Sequence, residues 1–290
     1  MIIREITTLE GCRDVVEVQE HVWGADSEVV PASLLVVSIK RGGILLGAYE
    51  KDAMIGFVWS LPGWLPNGER THWSHMLGVV PEARGARAGE RLKWAQRDAA
   101  LAQGVALIEW TFDPLQALNA HLNLSRLGSV APAFLADAYG PMSGPLHRGT
   151  PTDRLIAAWW INKPHVIRRR ERPDPAVPGL SAPSRDVQAV PAVLTVRDEG
   201  GWDVCGDVRT DLHDSRLLVP IPAKFNDMQA SATGLALAWR RATRTVFQTY
   251  FGRGYVAVDF FLNRERGGGV YLLSRPSVKR PEAQGHAQKK

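Results

Sequence analysis

The feature that most constrains the fold is the strand–turn–helix junction at residues 77–89, Leu-Gly-Val-Val-Pro-Glu-Ala-Arg-Gly-Ala-Arg-Ala-Gly. A short apolar strand ends at Pro81, a turn of small residues follows, and strong helix formers begin at Glu90. The first N–H groups of a helix have no partner within it, and the helix dipole adds partial positive charge there. The junction therefore predicts a backbone cradle for a phosphate group.

Composition limits the class of protein. The chain has 290 residues, of which 45% are hydrophobic and 22% charged, as in a folded protein of one large or two ordinary domains. No apolar run has the roughly 18 residues of a membrane span, and no signal peptide is recognisable, so a cytoplasmic protein is expected. Cys12 and Cys205 have no metal-binding or redox spacing, so neither a metal site nor a disulfide is expected.

The net charge of +5 raises the question of nucleic-acid binding. Residues 163–186 carry six basic against three acidic side chains, and residues 275–290 carry five against one. The rest of the chain therefore has a small negative charge. The basic residues belong to a connection and a tail rather than to a folded face, so nucleic acid is an improbable partner.

Proline-rich sequence divides the chain. Residues 168–192 hold little periodicity and are typical of a linker or a long surface connection. We therefore predict a first domain over 1–165, a Pro/Arg-rich linker over 166–191, a smaller α+β domain over 192–275 and a disordered tail over 276–290.

Hydrophobic periodicity predicts an α/β fold with a mixed central sheet flanked by helices. In the first block, strands are predicted at 1–6, 44–49, 54–60, 72–80, 105–111, 133–138 and 155–160, and helices at 8–22, 31–40, 90–103 and 115–127. In the second block, strands are predicted near 193–197, 202–208, 216–221, 255–262 and 270–273, with one helix from about 223 to 251.

This order of elements resembles the GNAT superfamily of acyl-CoA-dependent N-acyltransferases. The family's phosphate signature, Arg/Gln-x-x-Gly-x-Gly/Ala after a strand, is similar to Arg84-Gly-Ala-Arg-Ala-Gly89. A second motif, a helix ending in Lys/Arg-Leu-Gly, resembles the segment from Trp110 to Arg126-Leu-Gly128. The sequence of this second motif most resembles a bacterial subgroup of predicted acetyltransferases that carry a C-terminal extension. Segments of that extension are similar here to Val219-Pro-Ile-Pro222, to Trp239-Arg-Arg-Ala-Thr-Arg244 and to Gly254-Tyr255.

The resemblance implies an enzyme that transfers an acyl group directly from acetyl-CoA, or another acyl-CoA such as succinyl-CoA, to a primary amine. The acceptor is expected to be a small molecule such as an amino acid. The implied cofactor-binding residues are those of the strand end, the turn and the following motif helix: Leu77, Gly78, Val79, Arg84, Gly85, Ala86, Arg87, Ala88, Gly89, Asn119 and Asn123. The two asparagines are equally well explained as polar residues on a solvent-exposed helix surface.

Two positions depart from the family pattern. Arg87 stands where the signature has its central glycine, and a non-glycine residue at φ > 0 costs about 1–2 kcal/mol. Leu124 stands where many members carry a tyrosine that protonates the leaving thiolate. These departures leave open a different class of function, a non-catalytic acyl-CoA-binding or regulatory module.

Catalytic candidates follow from the chemistry, which needs a base for the amine and an acid for the thiolate. Glu109, on the strand after the phosphate helix, is a candidate base, or a structural partner of an arginine. His75, in the long strand, is a candidate base, or a buried structural histidine. Tyr139 is a candidate replacement for the missing tyrosine. Arg240 and Arg244 share a helix face with Arg241 and are candidates for binding a substrate carboxylate, although such a run is more often a solvated face.

Overall fold

The computed structural model describes residues 1–24, 28–140, 149–171, 187, 189–263 and 265–275. The predicted tail and most of the predicted linker lie outside these residues. The strands are β1 Ile2–Glu5, β2 Ile44–Glu50, β3 Ala53–Trp64, β4 Arg70–Val79, β5 Leu107–Phe112, β6 Val130–Leu135, β7 Arg154–Trp160, β8 Leu194–Glu199, β9 Trp202–Val208, β10 Arg216–Ile221, β11 Val256–Leu262 and β12 Gly269–Ser274. The helices are α1 Leu9–Trp23, α2 Ala32–Lys40, α3 Ala88–Ala102, α4 Ala117–Ala120, α5 Pro164–Arg170, α6 Phe225–Ser231 and α7 Thr233–Gly252.

A ten-stranded sheet forms the centre of the molecule, in the order β1-β2-β3-β4-β5-β7-β6-β11-β12-β10. β4 and β5 run parallel, whereas the other neighbouring strands of this sheet run antiparallel. β8 and β9 form a separate hairpin. The predicted mixed α/β sheet is confirmed.

Helices cover both faces of the first half of the sheet. On one face, Trp23 of α1 packs edge-on against Phe57 of β3, and the indole N–H of Trp59 donates to Ser38 of α2. On the opposite face, α3 lies against β2, β3 and β4. The two faces are called here the α1–α2 face and the α3 face.

The second half of the chain extends the same sheet. β11 joins β6 through the pair Ala257–Ala131, and β12 and β10 follow outward. α7 packs against the strands through Phe247, whose ring stacks on Phe134 of β6 at 5.8 Å between centroids. One continuous hydrophobic core includes residues of both halves. The division into two domains stays a prediction.

Several predicted boundaries were wrong. β6 was predicted at 133–138 but begins at Val130 and ends at Leu135. It ends there because Asp137 adopts φ +49° in a turn fixed by hydrogen bonds from the backbone N–H and the hydroxyl of Thr152. The single helix predicted at 223–251 is two helices separated by Ala232, which is not helical. The helix Pro164–Arg170 was not predicted.

The helix predicted at 115–127 also differs. Only Ala117–Ala120 is α-helical, and His121–Arg126 continues as a π-helix. The Leu127 N–H donates to the Leu122 carbonyl, five residues earlier, at 2.9 Å. π-helical turns are rare and occur disproportionately at functional sites.

Candidate functional site

The central feature of the site is a gap between the parallel strands β4 and β5. The strands pair at His72–Ile108 and Trp73–Glu109, and the pairing stops there although both strands continue. β4 also carries a β-bulge at His75. Trp59 of β3 pairs with Met76 and the next residue, Ser60, pairs with Ser74, so His75 has no partner residue on β3. A bulge re-aims a side chain and often lies beside an active site. The backbone of β4 beyond Trp73 thus borders an opening within the sheet.

The gap leads to the turn that the sequence singled out. A 3-10 turn, Pro81–Ala83, follows β4, and α3 begins at Ala88. Gly85 has φ +90° and Arg87 has φ +58°, so the turn reverses through two left-handed residues. The first helical hydrogen bond runs from the Arg91 N–H to the Arg87 carbonyl. The preceding N–H groups of a helix are directed out of its N-terminus, where an anion is favoured.

Three charged side chains surround this helix terminus. Glu90, in the first turn of α3, accepts two hydrogen bonds from Arg87, both 3.0 Å, and two from Arg126, at 3.2 and 3.0 Å. Burial by itself would raise the pKa of the Glu90 carboxyl, but the hydrogen bonds and charges of the two arginines lower it below its usual value. The three groups carry a net charge of +1 and fix Arg87 in its left-handed conformation.

Arg84 completes the basic character of the turn. Its side chain is exposed beside exposed Gly85 and Ala86. Since Arg87 is engaged with Glu90, Arg84 is the more accessible cation of the two. An exposed guanidinium beside the helix N-terminus suits phosphate recognition.

Two glycines near the turn have different structural reasons. A Cβ at Gly78 would lie 2.9 Å from the Phe57 ring and 3.2 Å from the Trp23 ring, so packing on the α1–α2 face requires glycine there. A Cβ at Gly89 would lie 3.6 Å from Leu77 and 3.8 Å from Val79, which is ordinary contact. The fold itself therefore tolerates a side chain at position 89.

The strands beyond the gap leave part of the α1–α2 face open. Glu109, Thr111, Arg154 and Ile156 alternate along β5 and β7, and each is partly exposed. The side chains that alternate with them are buried, and Trp110, for instance, is covered by Lys93 of α3. Side chains alternate between the two faces of a strand. We call Glu109, Thr111, Arg154 and Ile156 the open face.

His75 lies on the same side of the sheet. Its ring packs edge-on against Trp59, at 5.2 Å between centroids, and Trp59 bonds to α2 on the α1–α2 face. The side chain is exposed, unlike the buried structural histidine that was the alternative. Partial burial of the ring lowers the pKa of His75, so the imidazole is neutral at pH 7 and able to accept a proton.

Tyr139 also reaches this region. Its hydroxyl lies 2.6 Å from the Thr111 hydroxyl, and its side chain is 51% exposed. Leu124, at the position of the family tyrosine, is fully buried. Of the two positions, only 139 presents a hydroxyl group at the open face.

The two asparagines do not form an exposed pair. Asn119 is exposed, whereas Asn123 is 5% exposed, and its carbonyl accepts hydrogen bonds from the N–H and the hydroxyl of Ser129. The π-helix begins between them and changes the angular spacing. Their predicted role in binding the pantetheine arm stays a prediction.

Arg240 and Arg244 form ion pairs that join the two halves of the chain. Arg240 donates to both oxygens of Asp113, which follows β5, and Arg244 donates to both oxygens of Asp153, which precedes β7. The Arg240 side chain is 2% exposed, so it is not part of a solvated helix face. Each guanidinium group binds a carboxylate of this chain, and the predicted role of Arg240 and Arg244 in binding a substrate stays a prediction.

Sequence reasoning missed a buried lysine. The Nζ of Lys93 donates to Ser74 Oγ at 3.0 Å and to Gln96 Oε1 at 2.8 Å, and lies 3.6 Å from the centroid of the Trp110 ring. Complete burial places the pKa of Lys93 well below its usual value. The helical spacing of Lys93, Gln96 and Ala100 could have indicated that Lys93 is buried, since the three residues lie on one side of α3. A charged residue is not normally assigned to a core, however.

The described residues hold no cluster of three or more histidine, cysteine, aspartate or glutamate side chains that would bind a metal ion. None of the described helices has the length and apolar character needed to cross a bilayer.

No family model matches the chain, and no curated protein matches it. Solved structures do. The chain is similar to aminoglycoside 6'-acetyltransferase type Ii, with 19% identity and a TM-score of 0.44 over 56% of this chain and 99% of that one. It is also similar to the acetyltransferase of the GNAT family from Streptococcus pneumoniae, with 13% identity and a TM-score of 0.45 over 54% and 97% of the two chains. A third is YncA from Salmonella typhimurium, solved with its cofactor acetyl-CoA, with 18% identity and a TM-score of 0.45 over 56% and 95%.

Proposed function

We propose that this protein is an acyl-CoA-dependent N-acyltransferase that acts on a primary amine of a small molecule. The observation that carries the proposal is the gap between β4 and β5, which leads directly to the N-terminus of α3. An extended chain that ends in a pyrophosphate, as coenzyme A does, matches both parts of this arrangement.

The fit to coenzyme A rests on the chain's own groups. The backbone of Leu77–Val79 offers strand hydrogen bonds to an extended pantetheine arm, in the manner of an added strand. The N–H groups at the start of α3 and the exposed Arg84 suit the phosphates. Gly89 leaves space at this terminus that the fold does not need.

Acyl transfer then needs three events near the bulge in β4. The amine nitrogen forms a bond to the thioester carbon, the carbon–sulfur bond breaks, and one proton passes from the amine to a base while the thiolate gains another. We assign the base to His75, neutral and exposed on the α1–α2 face, with Glu109 as its alternative on the open face. Tyr139 is the proposed acid, since its hydroxyl group reaches the same face.

Calorimetric titration with coenzyme A tests the first half of the proposal. We expect saturable binding that weakens at least tenfold in Arg84→Gln, because a charge-assisted phosphate contact is lost. The matched control is Arg13→Gln, which removes an exposed arginine from α1. Absence of binding in the wild-type protein would exclude the proposal.

Release of free coenzyme A tests the second half. Wild-type protein is mixed with acetyl-CoA or succinyl-CoA and a panel of primary amines. We expect amine-dependent thiol release, and His75→Gln should lower kcat with little effect on coenzyme A affinity. Binding without turnover across the panel would favour the alternative function, a non-catalytic acyl-CoA-binding module, which the buried Leu124 motivates.

A further inference from the structure

Arg154 differs from the other arginines at the ends of β5 and β7. Arg240 and Arg244 each bind a carboxylate, whereas within the described part of the chain Arg154 forms no ion pair. Its one hydrogen bond runs from Nη1 to the backbone carbonyl of Asp153, at 2.9 Å. Its guanidinium carbon lies 5.3 Å from the centroid of the Tyr139 ring.

The surroundings favour an anion at this position. Burial lowers the pKa of Arg154, which indicates a charge that has lost much of its water. The carboxylates that influence it, Asp113 and Asp153, are already held by Arg240 and Arg244. Among the described residues, the Arg154 guanidinium has further N–H donors without a partner, and their planar fork matches a carboxylate.

Position on the sheet relates Arg154 to the proposed chemistry. Arg154 and Ile156 point to the same side of β7, and Ile156 pairs with Thr111 of β5. Arg154 thus belongs to the open face, together with Glu109 and the hydroxyl group of Tyr139. Since Leu155 pairs with Phe112, Arg154 lies level with position 113, four residues beyond Glu109, or about 13 Å along the strands. β4, which carries His75, lies two strands from β7, or about 10 Å across the sheet.

We infer that Arg154 binds a carboxylate of the acceptor, and that this carboxylate is separated from the reacting amine by several bonds. The inference rests on the proposed function, because it places the amine near His75 and Glu109. An α-amino acid carries both groups on one carbon and spans this distance poorly. An ω-amino carboxylate, or a similarly extended amine, spans it better.

The test uses ω-amino carboxylates of increasing length, from glycine to 6-aminohexanoate, each beside the alkylamine of equal length without the carboxylate. With acetyl-CoA and the full-length protein, we expect kcat/KM to be at least tenfold higher for the longer carboxylates than for their matched amines. Glycine should show little of this advantage.

Variants identify the residue. Arg154→Gln should bring each carboxylate within about threefold of its matched amine, mainly through KM, and Arg154→Lys should keep part of the preference. Arg241→Gln, which removes an exposed arginine from α7, should leave the preference unchanged. Coenzyme A binding, measured by calorimetry, should be the same in all these variants and checks that they fold.

The outcomes separate this inference from the proposed function. If amines are acetylated but carboxylates bring no advantage, or if the advantage survives in Arg154→Gln, the inference is overturned and the function stands. The inference is also overturned if glycine is the best acceptor of the series. If the protein neither binds coenzyme A nor releases it from an acyl-CoA, the proposed function and the inference about Arg154 are both overturned.

Discussion

At the scale of single residues, Glu90 is the carboxylate that binds two arginines at the candidate site. It is 8% exposed and holds Arg87 and Arg126 at the start of α3. Glu90→Gln should destabilise the protein by about 1–3 kcal/mol, because two charge-assisted contacts lose their anion. Urea unfolding at pH 7 measures the change, and Glu17→Gln, an exposed change on α1, is the control.

The pH dependence of this loss has a defined sign. The pKa of Glu90 is lowered in the folded protein, so its contribution is complete above the unfolded-state pKa and disappears as the pH falls through the folded-state pKa. The free energies of unfolding of wild type and Glu90→Gln should therefore converge on acidification below about pH 4. A constant difference down to pH 2.5 would contradict this assignment.

At the scale of elements, α3 carries the buried Lys93. Its pKa is lowered by burial, so between the folded-state pKa and about 10.4 the unfolded chain binds a proton that the folded protein does not. Stability should rise with pH in that window, by about 1.4 kcal/mol per pH unit. Lys93→Met should be at least as stable at pH 7 and should lack this slope.

The free energy of unfolding of wild type and of Lys93→Met is measured by denaturant unfolding over a series of pH values. Lys40→Met, which replaces an exposed lysine at the end of α2, should keep the wild-type slope. Ser74 and Gln96 keep a mutual hydrogen bond at 3.1 Å when the lysine is removed. If the slope persists in Lys93→Met, burial of Lys93 does not perturb its titration.

The junction of β4 and α3 gives a second prediction at this scale. Gly78→Ala should cost about 1–3 kcal/mol through overpacking against Phe57 and Trp23. Gly89→Ala should leave stability unchanged or raise it, since alanine favours a helix. Urea unfolding of the two variants measures the difference, and equal losses of stability would contradict this packing argument.

Elements were predictable where local signals decide them. The strand before Pro81, the turn and the start of α3 follow from sequence neighbours, as does the order of strands in the first block. The π-helix makes contacts that are distant in sequence, such as the hydrogen bond from Ser125 to Asp259 of β11, which local signals do not reveal. The role inferred for Arg154 was not predictable, because it depends on which arginines Asp113 and Asp153 already bind.

At the scale of the whole molecule, the double ion pair links α7 to β5 and β7. Arg240→Ala leaves the largely buried Asp113 carboxylate without its ion-pair partner and should cost about 3–5 kcal/mol. Arg244→Ala should cost a similar amount, because it leaves the Asp153 carboxylate, whose side chain is 1% exposed, without its ion-pair partner. A double-mutant cycle with Asp113→Ala should show that the double variant loses less than the sum of the single changes.

The unfolding transition tests what this linkage does. If the two halves of the chain unfold as one unit, thermal unfolding followed by tryptophan fluorescence and by circular dichroism should give coincident curves. Arg240→Ala should lower the Tm recorded by the two probes by the same amount. A variant in which the two probes separate would show that the ion pairs, rather than the shared core, make the halves cooperative.

The gap between β4 and β5 has a consequence for aggregation. Unpaired strand edges usually lie at the periphery of a sheet, where another polypeptide can add to them. Here an unpaired stretch lies in the interior of a ten-stranded sheet, with further strands on both sides. A folded copy of the protein cannot align beside this stretch as it would at a sheet edge, because strands already lie on both sides, whereas an extended small molecule can pair with it. The unpaired N–H and C=O groups of this stretch are thus accessible to a small partner but protected from pairing with another copy of the protein.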